Sequence, residues 1–385
     1  MTFPAFKAGV SALRESKGGF DSHTLPPIDL SSSIESPIPA RLSCLPHMKA
    51  LVLHKPGHTS IETVPEPLPA KGKILLKVRM VGLCGSDLNS FRGLNPLVSF
   101  PRILGHEVSA TVIGGEGLVG EFSTGVNVAL SPYTNCGKCS SCRAGRPNAC
   151  RFNETLGVQR DGALAEYIVM PRERLYSAKL TAKELCLVEP LTVGFHAVAR
   201  GRVTANDTVA IFGCGGVGLG AVAAASSRGA RTICVDVDDE KLRLAKLAGG
   251  SVGINTTREP LHERLLDITE GHGPDVIVEA IGTPATFRAA VEEVSFCGRV
   301  VYIGYAKELV SYETRLFVQK ELDILGSRNA QPEDFQAVIR MLEAKRFPVD
   351  SAVSLIVPLQ EAPEALRAWS ENPSKFTKIM ISLDD

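Results

Sequence analysis

One stretch limits the fold more than any other: Asp207–Leu242, DTVAIFGCGGVGLGAVAAASSRGARTICVDVDDEKL. It reads as an apolar strand, a glycine turn, a helix of small residues and a second strand that ends in Asp236. Strand, turn and helix in that order open a βαβ unit in which the glycines have separate duties. Gly213 makes the tight turn, Gly215 brings the backbone close to a pyrophosphate, and Gly218 lets helix and strand pack together. Gly216 and Val217 fall at the start of the helix, where free amides favour a phosphate. Asp236 would accept hydrogen bonds from the adenosine ribose and repel a 2′-phosphate. Val237, Asp238 and Asp239 follow it without an Arg, so NAD is expected over NADP. GPDVIVEAIG and GRVVYIGYA supply two more strands with helical patterns between them, and a doubly wound parallel sheet is the expected result.

At 385 residues the chain has room for about two domains, each with its own core. Lys plus Arg and Asp plus Glu both number 42, so no net field favours nucleic acid, an anionic membrane or a polyanionic partner. No apolar run approaches the roughly 20 residues of a membrane span. The expectation is a soluble, cytoplasmic protein that acts on a small molecule. Residues 1–47 carry SKGGFDS and LPPIDLSSSIESPIP with little periodicity. They read as a poorly ordered extension, or as the product of a start codon placed upstream of the true one, and they lack the apolar core of a secretory signal. Globular patterning begins at Met48 with MKALVLHKPG, a strand closed by a turn signal.

Four of the ten cysteines crowd into NCGKCSSCRAGRPNAC, residues 135–150. The others, Cys44, Cys84, Cys186, Cys214, Cys234 and Cys297, are scattered, unlike a secreted disulfide framework. Cys136, Cys139, Cys142 and Cys150 sit in a loop of small and polar residues that can wrap a tetrahedral zinc ion. A four-iron cluster would place the last Cys four positions after the third and follow it with Pro. Here Cys150 comes eight positions after Cys142 and precedes Arg151. Four unligated thiols in such a loop would be prone to oxidation. Four protein ligands close the coordination shell, which assigns this metal to structure.

A second constellation lies upstream. VGLCGSDLN and RILGHEVSA bring Cys84, His106 and Glu107 behind strand-like stretches and beside glycines. A thiolate, an imidazole and a carboxylate leave one zinc position open, as catalysis needs. Taken separately, a single Cys is more often a small core residue and a lone His-Glu pair more often surface. Glu189 in VEPLTVGFHAV is a further carboxylate, or else a solvated acid at a helix N-terminus.

With GHE, the four-cysteine lobe and the dinucleotide unit in this order, the chain from Met48 onward resembles the zinc-containing medium-chain dehydrogenases. EPLTVGFHAV and GSRNAQPEDF are most similar to the sorbitol, threonine and sugar-acid (galactonate or idonate type) branch. The resemblance implies a GroES-like, mainly β catalytic domain at residues 48–194, with its zinc lobe at 135–150. It places a Rossmann NAD domain at 195–329 and returns residues 330–385 to the catalytic domain. It implies a catalytic zinc on Cys84, His106 and a carboxylate, with Glu107 and Glu189 as alternatives, and a structural zinc in the lobe. Ser86 matches a hydroxyl that bonds the substrate oxygen and relays its proton, although Ser86 in a GSD turn reads equally as making a local backbone bond. Asn89 stands where a His often ends that relay. Arg328 matches an Arg that lines the polyol site, or else an interdomain ion pair, and Arg160 is a secondary candidate of the same kind. Zinc-dependent hydride transfer between a secondary alcohol and NAD is implied, by a homodimer or homotetramer joined at the Rossmann sheet edge. The alternatives are zinc-free enone or quinone reduction and a non-catalytic NAD-binding protein.

Overall fold

In the computed structural model the chain is described at residues 46–68, 71–118 and 120–384. The reading of residues 1–47 as an extension lies outside these, apart from its last two positions. The first part of the chain carries β1 (His47–Lys55), β2 (His58–Pro65), β3 (Lys73–Gly82), β4 (Arg102–Ile103), β5 (Glu107–Gly114), β6 (Asn127–Leu130), β7 (Tyr167–Pro171) and β8 (Leu175–Ser177). β1 pairs antiparallel with β2 and β4 in a small sheet. β3 pairs antiparallel with β5 and β7. Its Ile74, Leu76 and Val78 are buried at every second position, the alternation of a strand with one face on the core. The loop between β6 and β7 holds the four cysteines.

From Thr208 the strands turn parallel. β9 (Thr208–Phe212), β10 (Arg231–Asp236), β11 (Val252–Asn255), β12 (Val276–Glu279), β13 (Arg299–Tyr302) and β14 (Asp323–Gly326) lie in the order β11-β10-β9-β12-β13-β14. Alternate residues feed two cores. Val209, Ile211 and Val278 join one cluster, while Ala210, Phe212 and Ile277 join another on the opposite face. The expected doubly wound parallel sheet is therefore present, buried on both faces as its continuous apolar runs require. After it, β15 (Leu355–Pro358) pairs with β16 (Ile379–Ser382), and β16 pairs with β3. The C-terminal segment thus rejoins the sheet of the first part.

Two helices link these layers. A Cβ on Gly194, in the helix Val188–Arg200, would lie 2.6 Å from the Val217 carbonyl. One on Gly220, in the helix Gly216–Ser227, would lie 2.6 Å from the Leu191 carbonyl. Only glycine permits this approach, which ties the helix bearing Glu189 to the helix that follows the dinucleotide turn. Among the described residues no helix is long and apolar enough to cross a membrane.

Candidate active site

Cys84 caps the short helix Gly85–Phe91, His106 sits between β4 and β5, and Glu107 opens β5. Their candidate ligand atoms lie within 4.8 Å of one another. Asp87 braces the first two. Its Oδ2 accepts the Cys84 amide at 2.9 Å, and its Oδ1 accepts the Gly105 amide at 3.2 Å and lies 3.8 Å from His106 Nδ1. Burial pushes the His106 pKa down, but Asp87 and Cys84 outweigh it and hold it well above the ordinary value. His106 Nδ1 is nevertheless buried with no hydrogen bond. A thiol, an imidazole and a carboxylate converging around an imidazole with unmet polar capacity form a donor set that suits zinc.

Glu107 belongs to this group, while Glu189 lies outside it and acts on His106 through its charge; the two carboxylates are held differently. Lys378 Nζ, just before β16, donates to Glu107 Oε1 at 2.7 Å, to Glu107 Oε2 at 2.6 Å and to the Leu83 carbonyl at 3.1 Å. Both side chains are buried, and a Cβ at Gly82 would overlap the Glu107 carboxylate, so that glycine makes the room. Burial pushes the Lys378 pKa down, but Glu107 and Cys84 reverse this and leave it raised. Glu189 lies in the first turn of its helix, buried and not solvated. The Tyr133 hydroxyl donates to Glu189 Oε1. Burial raises the Glu189 pKa and Glu107 adds to this, while His106 opposes it. Ser86 Oγ is buried without a partner. The local backbone bond is made instead by Ser90, whose hydroxyl donates to the Ser86 carbonyl at 2.8 Å.

The glycine turn lies beside this cluster. Gly213 has φ +92°, and a Cβ there would sit 2.6 Å from Ile281 Cγ1. A Cβ on Gly218 would overlap the Gly213 carbonyl. Around Gly215 nothing lies within 4 Å of that position, so its face is open, and Gly216 and Val217 begin the helix. Lys378 Nζ lies 3.9 Å from where a Gly216 Cβ would be, so the cation bonded to Glu107 also lies beside the turn. Asp236 Oδ2 accepts the Cys214 amide at 2.8 Å, and Oδ1 accepts the Val237 and Asp238 amides at 2.8 and 3.2 Å. These bonds fix the carboxylate at the end of β10, where a cofactor ribose would meet it.

In the lobe, Cys139 Sγ lies 3.5 Å from Cys142 Sγ and 3.8 Å from Cys150 Sγ, with no disulfide among them. The Cys136 and Phe152 amides donate to Cys150 Sγ, and the Cys139 amide to Cys136 Sγ, each at 3.3 Å. The Ser141 hydroxyl and nearby amides pull the Cys139 thiol down to about 5. Amide donors on sulfur and converging thiols suit a tetrahedral zinc. Next to Cys150, Asn148 Nδ2 meets His196 Nε2 at 3.0 Å and the Arg328 carbonyl at 2.8 Å. His196 Nδ1 lies 2.8 Å from Asp334 Oδ2, and Asn329 Nδ2 donates to the Asn148 carbonyl at 3.0 Å. The Arg328 side chain is exposed and forms neither a hydrogen bond nor an ion pair among the described residues. Arg160 is turned inward, donating to the Pro132 carbonyl at 3.1 Å.

Sequence reasoning missed Asp87, Tyr133, Lys378 and His196. Asp87 was within reach, standing inside the GSD turn. The other three gain meaning only from partners 48 to 271 positions away.

The sequence pattern described as "Zinc-binding dehydrogenase" matches residues 216–344, and that described as "Alcohol dehydrogenase GroES-like domain" matches residues 70–180. The sorbitol dehydrogenase of Bacillus subtilis (strain 168) is 36% identical over 347 residues, spanning 87% of this chain and 97% of its own. The L-galactonate-5-dehydrogenase of Escherichia coli (strain K12) is 28% identical over 336 residues, spanning 87% and 99%. The solved rspB alcohol dehydrogenase of E. coli CFT073, complexed with NADH, superposes with a TM-score of 0.81 at 30% identity, covering 88% of this chain and 99% of its own.

Proposed function

We propose an activity for a chain that, by these matches, belongs to the zinc-binding dehydrogenases: it transfers hydride between NAD and the secondary alcohol of a polyol, sugar acid or related small molecule. The observation that carries this is Lys378, which joins the Cys84, His106 and Glu107 cluster to the open dinucleotide turn. Hydride transfer needs those two sites side by side. Cys84, His106 and either Glu107 or Glu189 would hold a zinc ion, which supplies Lewis acidity at the alcohol oxygen. Asp87 holds the Cys84 backbone by a hydrogen bond and attracts the His106 ring by its charge. The Ser86 hydroxyl, buried without a protein partner, accepts the substrate proton. Asn89 cannot titrate, so water takes the proton onward. Gly213, Gly215, Gly216, Val217, Gly218 and Asp236 seat NAD. The cysteine lobe holds a second, structural zinc and takes no part in the chemistry. A zinc-free enone or quinone reductase would have no use for the three-donor cluster.

In this reading residues 48–194 and 330–385 form the catalytic part and residues 195–329 the cofactor part. Arg328, exposed with no guanidinium partner among the described residues, meets a sugar hydroxyl or carboxylate. Two or four copies join at the edge strand β14, where Ile324 is 41% exposed. The nine described cysteines are free, in keeping with a reducing cytoplasm.

The test is NADH formation by zinc-loaded protein against polyols, aldonic acids, threonine and simple alcohols. Turnover of a polyol or aldonate, abolished by Cys84→Ser while NAD still binds, is the expected result. No turnover with any alcohol, or loss of NAD binding together with turnover in Cys84→Ser, would overturn it.

A further inference from the structure

We infer that Tyr133 is a positioning residue that governs which of the two carboxylates, Glu107 or Glu189, meets a cation held by Cys84 and His106. This rests on the reading of Cys84 and His106 as metal ligands.

The two acids are restrained unequally. Both oxygens of Glu107 are bonded to Lys378, which is itself buried and anchored on the Leu83 carbonyl. Drawing Glu107 away would leave that ammonium charge buried without a counter-ion, a costly state. Glu189 takes a neutral phenol on one oxygen, and its other oxygen has no hydrogen-bond partner among the described residues. A bond from a neutral donor is given up more readily than a buried ion pair. Glu189 is therefore the carboxylate free to exchange onto the metal, and Tyr133 is what draws it back.

Tyr133 is also built as a fixed post. Its ring is buried in the larger core with Leu187, Val188 and Leu191, beside the helix that carries Glu189. Its backbone bridges Thr155, and the preceding Pro132 carbonyl is held by Arg160 Nη2 at 3.1 Å and the Leu156 amide at 3.2 Å. When Glu189 moves, the phenol stays, so the bond breaks and re-forms with each exchange. Removing the hydroxyl leaves Glu189 on the metal as a standing ligand.

The test compares the unaltered protein with Tyr133→Phe, Glu189→Gln and the double variant, with Co2+ at the Cys84 site and zinc kept in the lobe. The readouts are the visible cobalt spectrum and the rate of cobalt loss to a chelator. Tyr133→Phe should lose cobalt about fivefold more slowly, as expected for one hydrogen bond, with an altered visible band. The double variant should behave as Glu189→Gln alone. An unchanged rate in Tyr133→Phe, or the same slowing in the Glu189→Gln background, would overturn the inference. If Tyr133→Phe fails to fold, Glu189→Gln should speed cobalt loss more than Glu107→Gln does, and the reverse order would count against it. A chelator-sensitive cobalt phase that survives Cys84→Ser would instead overturn the ligand reading beneath it.

Discussion

Lys378 lies 271 positions beyond Glu107 and yet satisfies both of its carboxylate oxygens. With Lys378→Met the buried carboxylate would lose both of these hydrogen bonds and its ion-pair partner, at a cost of about 3–5 kcal/mol. Adding Glu107→Gln removes the stranded charge and should restore more than half of the loss in thermal midpoint. Equal midpoints for the single and double variants would mean that the pair does not hold this corner together. The pair also marks what one residue can reveal in a sequence. Cys84, His106 and Glu107 are readable as a set because Cys, His and Glu are the residue types that bind zinc and glycines flank them. Lys378 is one of many lysines until β16 pairs with β3 and brings it beneath β5. Tyr133 and His196 are obscure for the same reason, whereas Arg328 stood out in the sequence and is exposed in the structure.

Elements were easier to read where chemistry repeats over several residues. The strand, glycine turn, small-residue helix and acid of Asp207–Leu242 form β9, the helix Gly216–Ser227 and β10, because Gly213, Gly218 and Gly220 meet steric demands that no other residue meets. The contact of Gly194 with Val217 could not be read, since nothing in VGFHAV says which helix will cross it. The cysteine lobe is intermediate. Its thiols announce a metal, but not that Asn148, between Cys142 and Cys150, reaches His196 and the Arg328 carbonyl. Removing the lobe zinc should therefore expose residues 135–150 to hydrogen exchange while the parallel sheet stays protected. Through Asn148 the loss should spread to residues 327–331, where β14 gives way to the helix Pro332–Glu343. Asn148→Ala should raise exchange at 327–331 with the zinc still bound. Continued protection of 135–150 in the metal-free protein would contradict the structural role of that metal.

At the scale of the whole molecule, 42 basic and 42 acidic side chains leave no net charge, so self-repulsion contributes little to stability near neutral pH. Particular pairs then set the acid limit. Asp207, just before β9, is bonded to Arg299, which opens β13, and to the Thr204 amide and hydroxyl at 2.6 and 3.0 Å. Arg299 also donates to the Gly201 carbonyl at 3.0 Å, which fixes the turn between the helix Val188–Arg200 and the parallel sheet. Burial pushes the Asp207 pKa up, but Arg299 and Thr204 more than offset it and leave it below the ordinary value. Glu184 is lowered in the same way, its burial outweighed by Lys345 and Thr181. A carboxylate whose pKa is lower in the folded state stabilises the protein above its unfolded pKa, about 4. That contribution is lost as pH falls through the folded value. Neither pair should change stability between pH 5 and 8, and both should weaken it below about pH 4. Asp207→Asn should lower the thermal midpoint at pH 7 by roughly 1–2 °C. The two curves should converge as pH falls through the lowered pKa of Asp207, because the unaltered side chain is then protonated as well. Ligand protonation releases metal in the same acid range, but it does so in both proteins, so the gap between their curves isolates Asp207. A gap that stays constant from pH 7 to pH 3 would place the effect of the substitution in packing and not in charge.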